Sequence, residues 1–211
     1  FDIKSNNYYN LIACVSKSPT FFDNSIKNNL LLVNDDFDYA VKVCKLLNIH
    51  NYIMSLKDGY NTNINSNIKR SVFYLLAIAR VIIKDSKIMI FDESLSMIDK
   101  KDIETFKGIL LELKKNHTII VIDREQNIDD ISDHIVVIDE HTVKEEGTRT
   151  ELVKKKTFYY NLINNYFENG GSGRRIVLLR KDNKIIGFAR FEDENKSLFK
   201  TSIFMKKKSL G

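Results

Sequence analysis

The chain predicts an α/β fold in which helices flank a central, mostly parallel sheet. Three features carry that expectation. Ile88-Met89-Ile90-Phe91 is an unbroken apolar run bounded by Ser86 and Asp92, the pattern of a strand buried on both faces. Thr118-Ile119-Ile120-Val121-Ile122 repeats the pattern. Ser71–Lys84 and Lys100–Lys115 carry apolar residues at helical spacing, with Ile103, Phe106, Ile109, Leu110 and Leu113 on the inward face of the second.

A length of 211 residues with 43% hydrophobic residues allows one substantial domain with a real core. One proline and no tryptophan fit a compact α/β body. Cys14 and Cys44 stand in apolar contexts without metal spacing, so buried free thiols in a reducing compartment are expected. With no signal peptide and no apolar run of about 18 residues, the chain is not expected to cross a membrane. The net charge of +5 and the runs at Lys154–Lys156 and Lys206–Lys208 invite a nucleic-acid reading, but 28 acids are interleaved with 33 bases. No nucleic-acid motif is present either, so a solvated, lysine-rich surface is the better account, with an anionic membrane leaflet as a secondary neighbour.

Taken in order, Phe1-Asp2-Ile3, a turn around Asn6-Asn7 and Leu11–Val15 predict a short extended piece and a strand, and the segment Ser16–Leu30 follows. Asp35-Asp36 opens a helix over Phe37–Leu47, with Phe37, Ala40, Val41, Cys44 and Leu47 on one face. His50 is a surface or helix-start residue, because no second ligand lies near it. After Ile88–Phe91 come Asp92 and Glu93, acids at the end of a strand where α/β sheets bind ligands. Such a pair either holds magnesium through water and activates an attacking water, or caps the next loop. Asp123-Arg124 closes the second strand, and a short helix leads to a third, His134–Asp139. A hairpin then runs into Val143–Thr148, and Thr148-Arg149-Thr150-Glu151 is a capping box starting a helix to about Asn165. Its aromatics, Phe158 to Phe167, are expected to pack on the sheet, and His117, His134 and His141 to be loop or strand-edge residues.

The ordered set AIAR, IMIFDE, SMID, IIVIDR and VKEEGT resembles the signature helix, Walker B strand, D-loop, switch strand and closing hairpin of the nucleotide-binding domain of exporter-type ABC transporters. SPTFFDNSIKNNL resembles the segment that follows the Q-loop glutamine, and DGYNTNI, Asp58–Ile64, a phrase of the helical subdomain. The resemblance implies a P-loop NTPase-like ABC ATPase fold with a helical subdomain, and ATP and Mg2+ as cofactors. It also implies two partners, the transmembrane domain of an exporter and a second nucleotide-binding domain, at the cytoplasmic face of a membrane. No nucleic acid is expected. Asp92 falls at the magnesium position, Glu93 at the catalytic glutamate and Asp99 at the D-loop.

Four phosphate-contacting elements depart from the family. Lys17 stands at the Q-loop glutamine, and a charged lysine can neither coordinate a metal nor accept a proton. Lys69, Arg70 and Ser71, followed by Val72, occupy the signature positions, where glycine is needed for close backbone approach to phosphate. Asp123 stands at the switch histidine; at 4 Å and an effective dielectric of about 20, like charges cost roughly 4 kcal/mol. The fourth is the phosphate loop.

Asn169–Gly173 clusters three of the eight glycines and predicts a flexible linker. Behind it, Ile176–Leu179 and Lys184–Ala189 are strand candidates and a helix is expected from Leu198. This resembles the front of the same domain, strand, phosphate loop and helix, placed at the wrong end. The expectation is a circularly permuted, engineered chain: 1–169 the later part of the domain, 170–173 the linker, 174–211 the earlier part. Its phosphate loop would set Ala189, Glu192 and Glu194 at the glycines, Asn195 at the lysine and Lys196-Ser197 at the Ser/Thr pair, or, shifted by one, Lys196-Ser197 as the lysine-serine pair with Asp193 and Asn195 at glycine positions; either way Glu192, Asp193 and Glu194 crowd it. The expected function is a degenerate ABC exporter domain, a pseudo-ATPase serving as structural or regulatory partner. The alternatives are a weak ATPase using Glu93 and Lys196, and a basic module binding nucleic acid or anionic lipid.

Overall fold

The computed structural model describes residues 9–123, 127–139 and 142–169, together with strands at 174–179, 188–190 and 202–204. Strands β1 (Ile12–Val15), β2 (Ile88–Asp92) and β3 (Thr118–Asp123) pair in parallel. β4 (His134–Asp139) and β5 (Thr142–Gly147) form an antiparallel hairpin, and β6 (Arg174–Leu179) joins β3 to β4, antiparallel to both. The sheet order is therefore β1-β2-β3-β6-β4-β5, with four strands running one way and β5 and β6 the other. Apolar runs without alternation explain the central strands: Ile119, Val121, Ile135 and Val137 are buried on one face, while Ile122 and Val136 form a second cluster on the other.

The helices are α1 (Ile26–Leu31), α2 (Phe37–Leu46), α3 (His50–Ser55), α4 (Arg70–Lys84), α5 (Lys100–Leu113), α6 (Arg149–Lys155) and α7 (Phe158–Asn169). Ser25 and Asp36 cap α1 and α2 by accepting from backbone N–H groups one turn on. The spacing expected for α2 holds, with Ala40, Cys44 and Leu47 buried. α4 is buried over most of its length and packs on β1 and β2, while Phe106 of α5 meets Phe91 edge to face at 5.2 Å.

Three expectations need correction. Cys14 is exposed, because Ala13 and Val15 take the inward positions of β1 and alternation turns Cys14 outward. Cys44 is buried as expected, and burial pushes its thiol up to about 11. The helix expected from Thr148 to about Asn165 is two: the capping box forms, but Lys156 enters the left-handed region at φ 52° and ends α6. The Glu145 carboxylate then accepts from the Tyr159 N–H at 2.6 Å and from the Thr157 hydroxyl, which holds a second helix start there. Lastly, Ser202–Phe204 is not helical but a strand, β8, pairing antiparallel with β7 (Phe188–Arg190) in a separate two-stranded sheet. An Ile and a Phe in three residues suit a strand once a partner is at hand. The glycine cluster at 170–173 and the phosphate-loop residues Asn195, Lys196 and Ser197 lie outside the described residues.

Candidate functional site

The carboxyl ends of the parallel strands bring three predicted acids to one edge. β2 ends at Asp92, which is in register with Ile122, and β3 ends one residue later at Asp123. Glu93 follows Asp92 with φ at 47°, a left-handed conformation uncommon for a residue with a side chain. Its N–H donates to the Ile122 carbonyl at 2.8 Å, which holds that turn against the neighbouring strand. Glu93 and Asp123 are buried, at 8% and 2% exposure. Asp123 accepts from the Asn127 side-chain amide at 2.9 Å, so it serves the loop that leaves β3.

Lys17 reaches this edge from the loop after β1. Its ammonium lies 3.0 Å from Glu93 Oε2, an ion pair whose lysine end is 54% exposed and whose carboxylate end is 10% exposed. The loop is fixed by α4. Tyr74 Oη donates to the Lys17 carbonyl at 3.0 Å, and Arg80 Nη1 donates to the Thr20 carbonyl at 2.8 Å. Arg80 also lies over the Phe21 ring at 5.1 Å, and Phe73 meets Phe21 edge to face at 4.6 Å. Burial lowers the Arg80 guanidinium pKa from its ordinary value, yet the group remains a cation. Beyond this, the buried Asn29 side chain accepts from the Phe22 N–H at 2.9 Å and donates to the Phe22 carbonyl at 3.0 Å. That clamp leaves the Phe22 ring 67% exposed.

The residues expected at the signature positions, Lys69, Arg70 and Ser71, lie elsewhere, at the start of α4. Lys69 is the helix N-cap residue, and its backbone N–H donates to the Tyr52 hydroxyl of α3 at 2.9 Å. Its ammonium lies 5.2 Å from the Tyr52 ring centroid. Arg70 is exposed and Ser71 half-buried. Lys69 and Ser71 share a cleft of about 340 Å³ with Asp99, the exposed N-cap residue of α5, and with Tyr52. Two clusters thus form, Lys17 with the acids of the sheet edge, and Lys69 and Ser71 with Asp99.

Sequence reasoning missed Tyr52, Tyr74 and Asn29. The signal for Tyr74 was a hydroxyl inside an otherwise apolar helix, which needs a buried acceptor. Tyr52 and Asn29 carried none, since their partners lie in other segments.

No family model matches the chain. ABC multidrug transporter atrD of Emericella nidulans is 34% identical over 166 residues, 75% of this chain and 12% of that protein. ABC multidrug transporter mdr1 of Aspergillus fumigatus is 31% identical over 166 residues, with the same coverage of 75% and 12%. The domain is of the ABC exporter type. The chain spans about an eighth of the length of these relatives, as the 12% coverage states. A solved structure of a bacterial Atm1-family ABC exporter with ATP bound superposes with a TM-score of 0.71 over 76% of this chain and 29% of that chain, at 22% identity. That likeness bears on the fold, which is the α/β ABC ATPase fold.

ATP and Mg2+ are the cofactors of the ABC family. At the acidic edge of this ABC exporter domain the Lys17 ammonium sits in contact with the Glu93 carboxylate, and an ammonium offers no oxygen ligand to a hard divalent cation. Among the described residues, no helix is long and apolar enough to cross a membrane.

Proposed function

We propose that this ABC exporter domain does not hydrolyse ATP, and that it serves as the structural or regulatory half of an exporter at the cytoplasmic face of a membrane. It would dock on transmembrane helices through the Thr20–Asn29 region and pair with a second nucleotide-binding domain. One observation carries the reading. The Lys69 amide, at a position where the family offers backbone N–H groups to a phosphate, donates inward to Tyr52. The Lys69 ammonium lies 5.2 Å from the Tyr52 ring centroid, and Arg70 and Ser71 bring side chains to the two positions aligned with the signature glycines.

The Q-loop and switch positions agree with it. A charged Lys17 accepts no proton and binds no metal, and Asp123 brings a carboxylate where the family has histidine. Retaining the fold without the chemistry preserves its surfaces, and the clamped, outward Phe22 stands in the segment expected to face the transmembrane partner.

Phosphate release from Mg-ATP by the purified chain tests this. The expected rate equals that of a Glu93→Gln variant. Turnover that is lost in that variant would overturn the proposal and favour a weakly active ATPase.

A further inference from the structure

We infer that Lys17 is a tethered cation that takes the place of a divalent metal at the acidic edge of the sheet, so that Glu93 is held and neutralised by the chain itself. The inference rests on the reading of this edge as an ABC-type acid pair. It adds a specific replacement for the ion, and its test contains no nucleotide, so it fails or stands separately from the hydrolysis proposal.

Three observations build it. The carboxylate of Glu93 is nearly buried, and its backbone is held in a left-handed turn by the Ile122 carbonyl, so the side chain starts from a fixed point against the neighbouring strand. A buried carboxylate needs a hydrogen-bonded cation or must take up a proton. Lys17 supplies one at 3.0 Å.

The lysine is also positioned rather than merely nearby. Val15 is in register with Phe91, which sets the residues just after β1 across from those just after β2. The Tyr74 hydroxyl then fixes the Lys17 carbonyl, so the side chain starts from a defined point and extends to the acid. This differs from a surface ion pair, in which both partners choose among many rotamers. An ammonium so placed supplies positive charge and donors but none of the oxygen ligands a hard divalent ion requires, and it repels such an ion electrostatically.

Thermal melts in EDTA and in millimolar MnCl2 test this on the wild type, Lys17→Arg, Lys17→Gln and the double variant Lys17→Gln/Glu93→Gln. The wild type and Lys17→Arg should melt at the same temperature in both buffers. Lys17→Gln should melt about 2–4 °C lower in EDTA, and Mn2+ should restore part of that loss. The double variant should be more stable than Lys17→Gln and indifferent to Mn2+. If Lys17→Gln does not fold, folding of the double variant alone supports the inference, and failure of both overturns it. Stabilisation of the wild type by Mn2+ as large as that of Lys17→Gln would also overturn it, as would a Lys17→Gln variant unchanged in EDTA.

Discussion

The Tyr74 hydroxyl donates to the carbonyl of Lys17 at 3.0 Å across 57 positions of sequence. This bond joins helix α4 to the loop after β1 that carries Lys17 to the acidic edge of the sheet.

Replacing Tyr74 by Phe removes the donor and leaves the Lys17 carbonyl to find another. The expected cost is about 1 kcal/mol, a drop of roughly 2–4 °C in melting temperature for a domain of this size. The measurement is a thermal melt beside Lys17→Gln. The double variant should lose less than the sum of the singles, because one bond positions the residue that makes the other.

Tyr52→Phe frees the Lys69 N–H. Stability should fall by about 0.5–1.5 kcal/mol, read from denaturant unfolding. ATP turnover should not rise, because the lysine side chains and the Lys17–Glu93 pair remain.

Asn29→Ala deletes the amide that holds both backbone groups of Phe22. Its bonds to Phe22 and to the Asn24 and Ser25 carbonyls are lost and a cavity opens, so a loss of about 2 kcal/mol is expected. Phe22→Ala, by contrast, removes an exposed ring and should leave the melt within about 0.5 kcal/mol of wild type. Together they separate the role of holding the loop from that of presenting its tip.

The buried Tyr159 hydroxyl donates to Asp129 Oδ2 at 2.8 Å and ties α7 to the segment after β3. Tyr159→Phe should cost about 1–3 kcal/mol, since Asp129 loses a donor inside the protein. Hydrogen exchange should show the added opening in α7 before α4.

Acid should weaken the capping box in a defined direction. Hydrogen bonds from the Thr148 N–H and hydroxyl hold the Glu151 carboxyl below its ordinary value of 4.5. A depressed folded value means that the charge contributes stability above pH 4.5 and loses it as pH falls through the lower folded value. The difference in melting temperature between wild type and Glu151→Gln should therefore be constant near neutrality and shrink below pH 4.5.

The sequence by itself determined the elements whose signal is local. The apolar runs of β2 and β3, the 3.6-residue spacing of α2, α4 and α5 and the capping box at Thr148 each depend on neighbours a few positions away. The acids at the carboxyl edge were legible for the same reason, because a strand end is where its apolar run stops. Tertiary structure decided the rest. The direction of β6 between β3 and β4 depends on a sheet built by other segments, and the strand at Ser202–Phe204 depends on its partner at Phe188–Arg190. The break at Lys156 depends on Glu145 arriving from the hairpin to start α7. Above all, Lys17 and Glu93 stand 76 positions apart, and only the parallel register of β1 on β2 sets the ammonium on the carboxylate. Residue types marked the acids and the lysine as charged groups; the contact between them was made by folding.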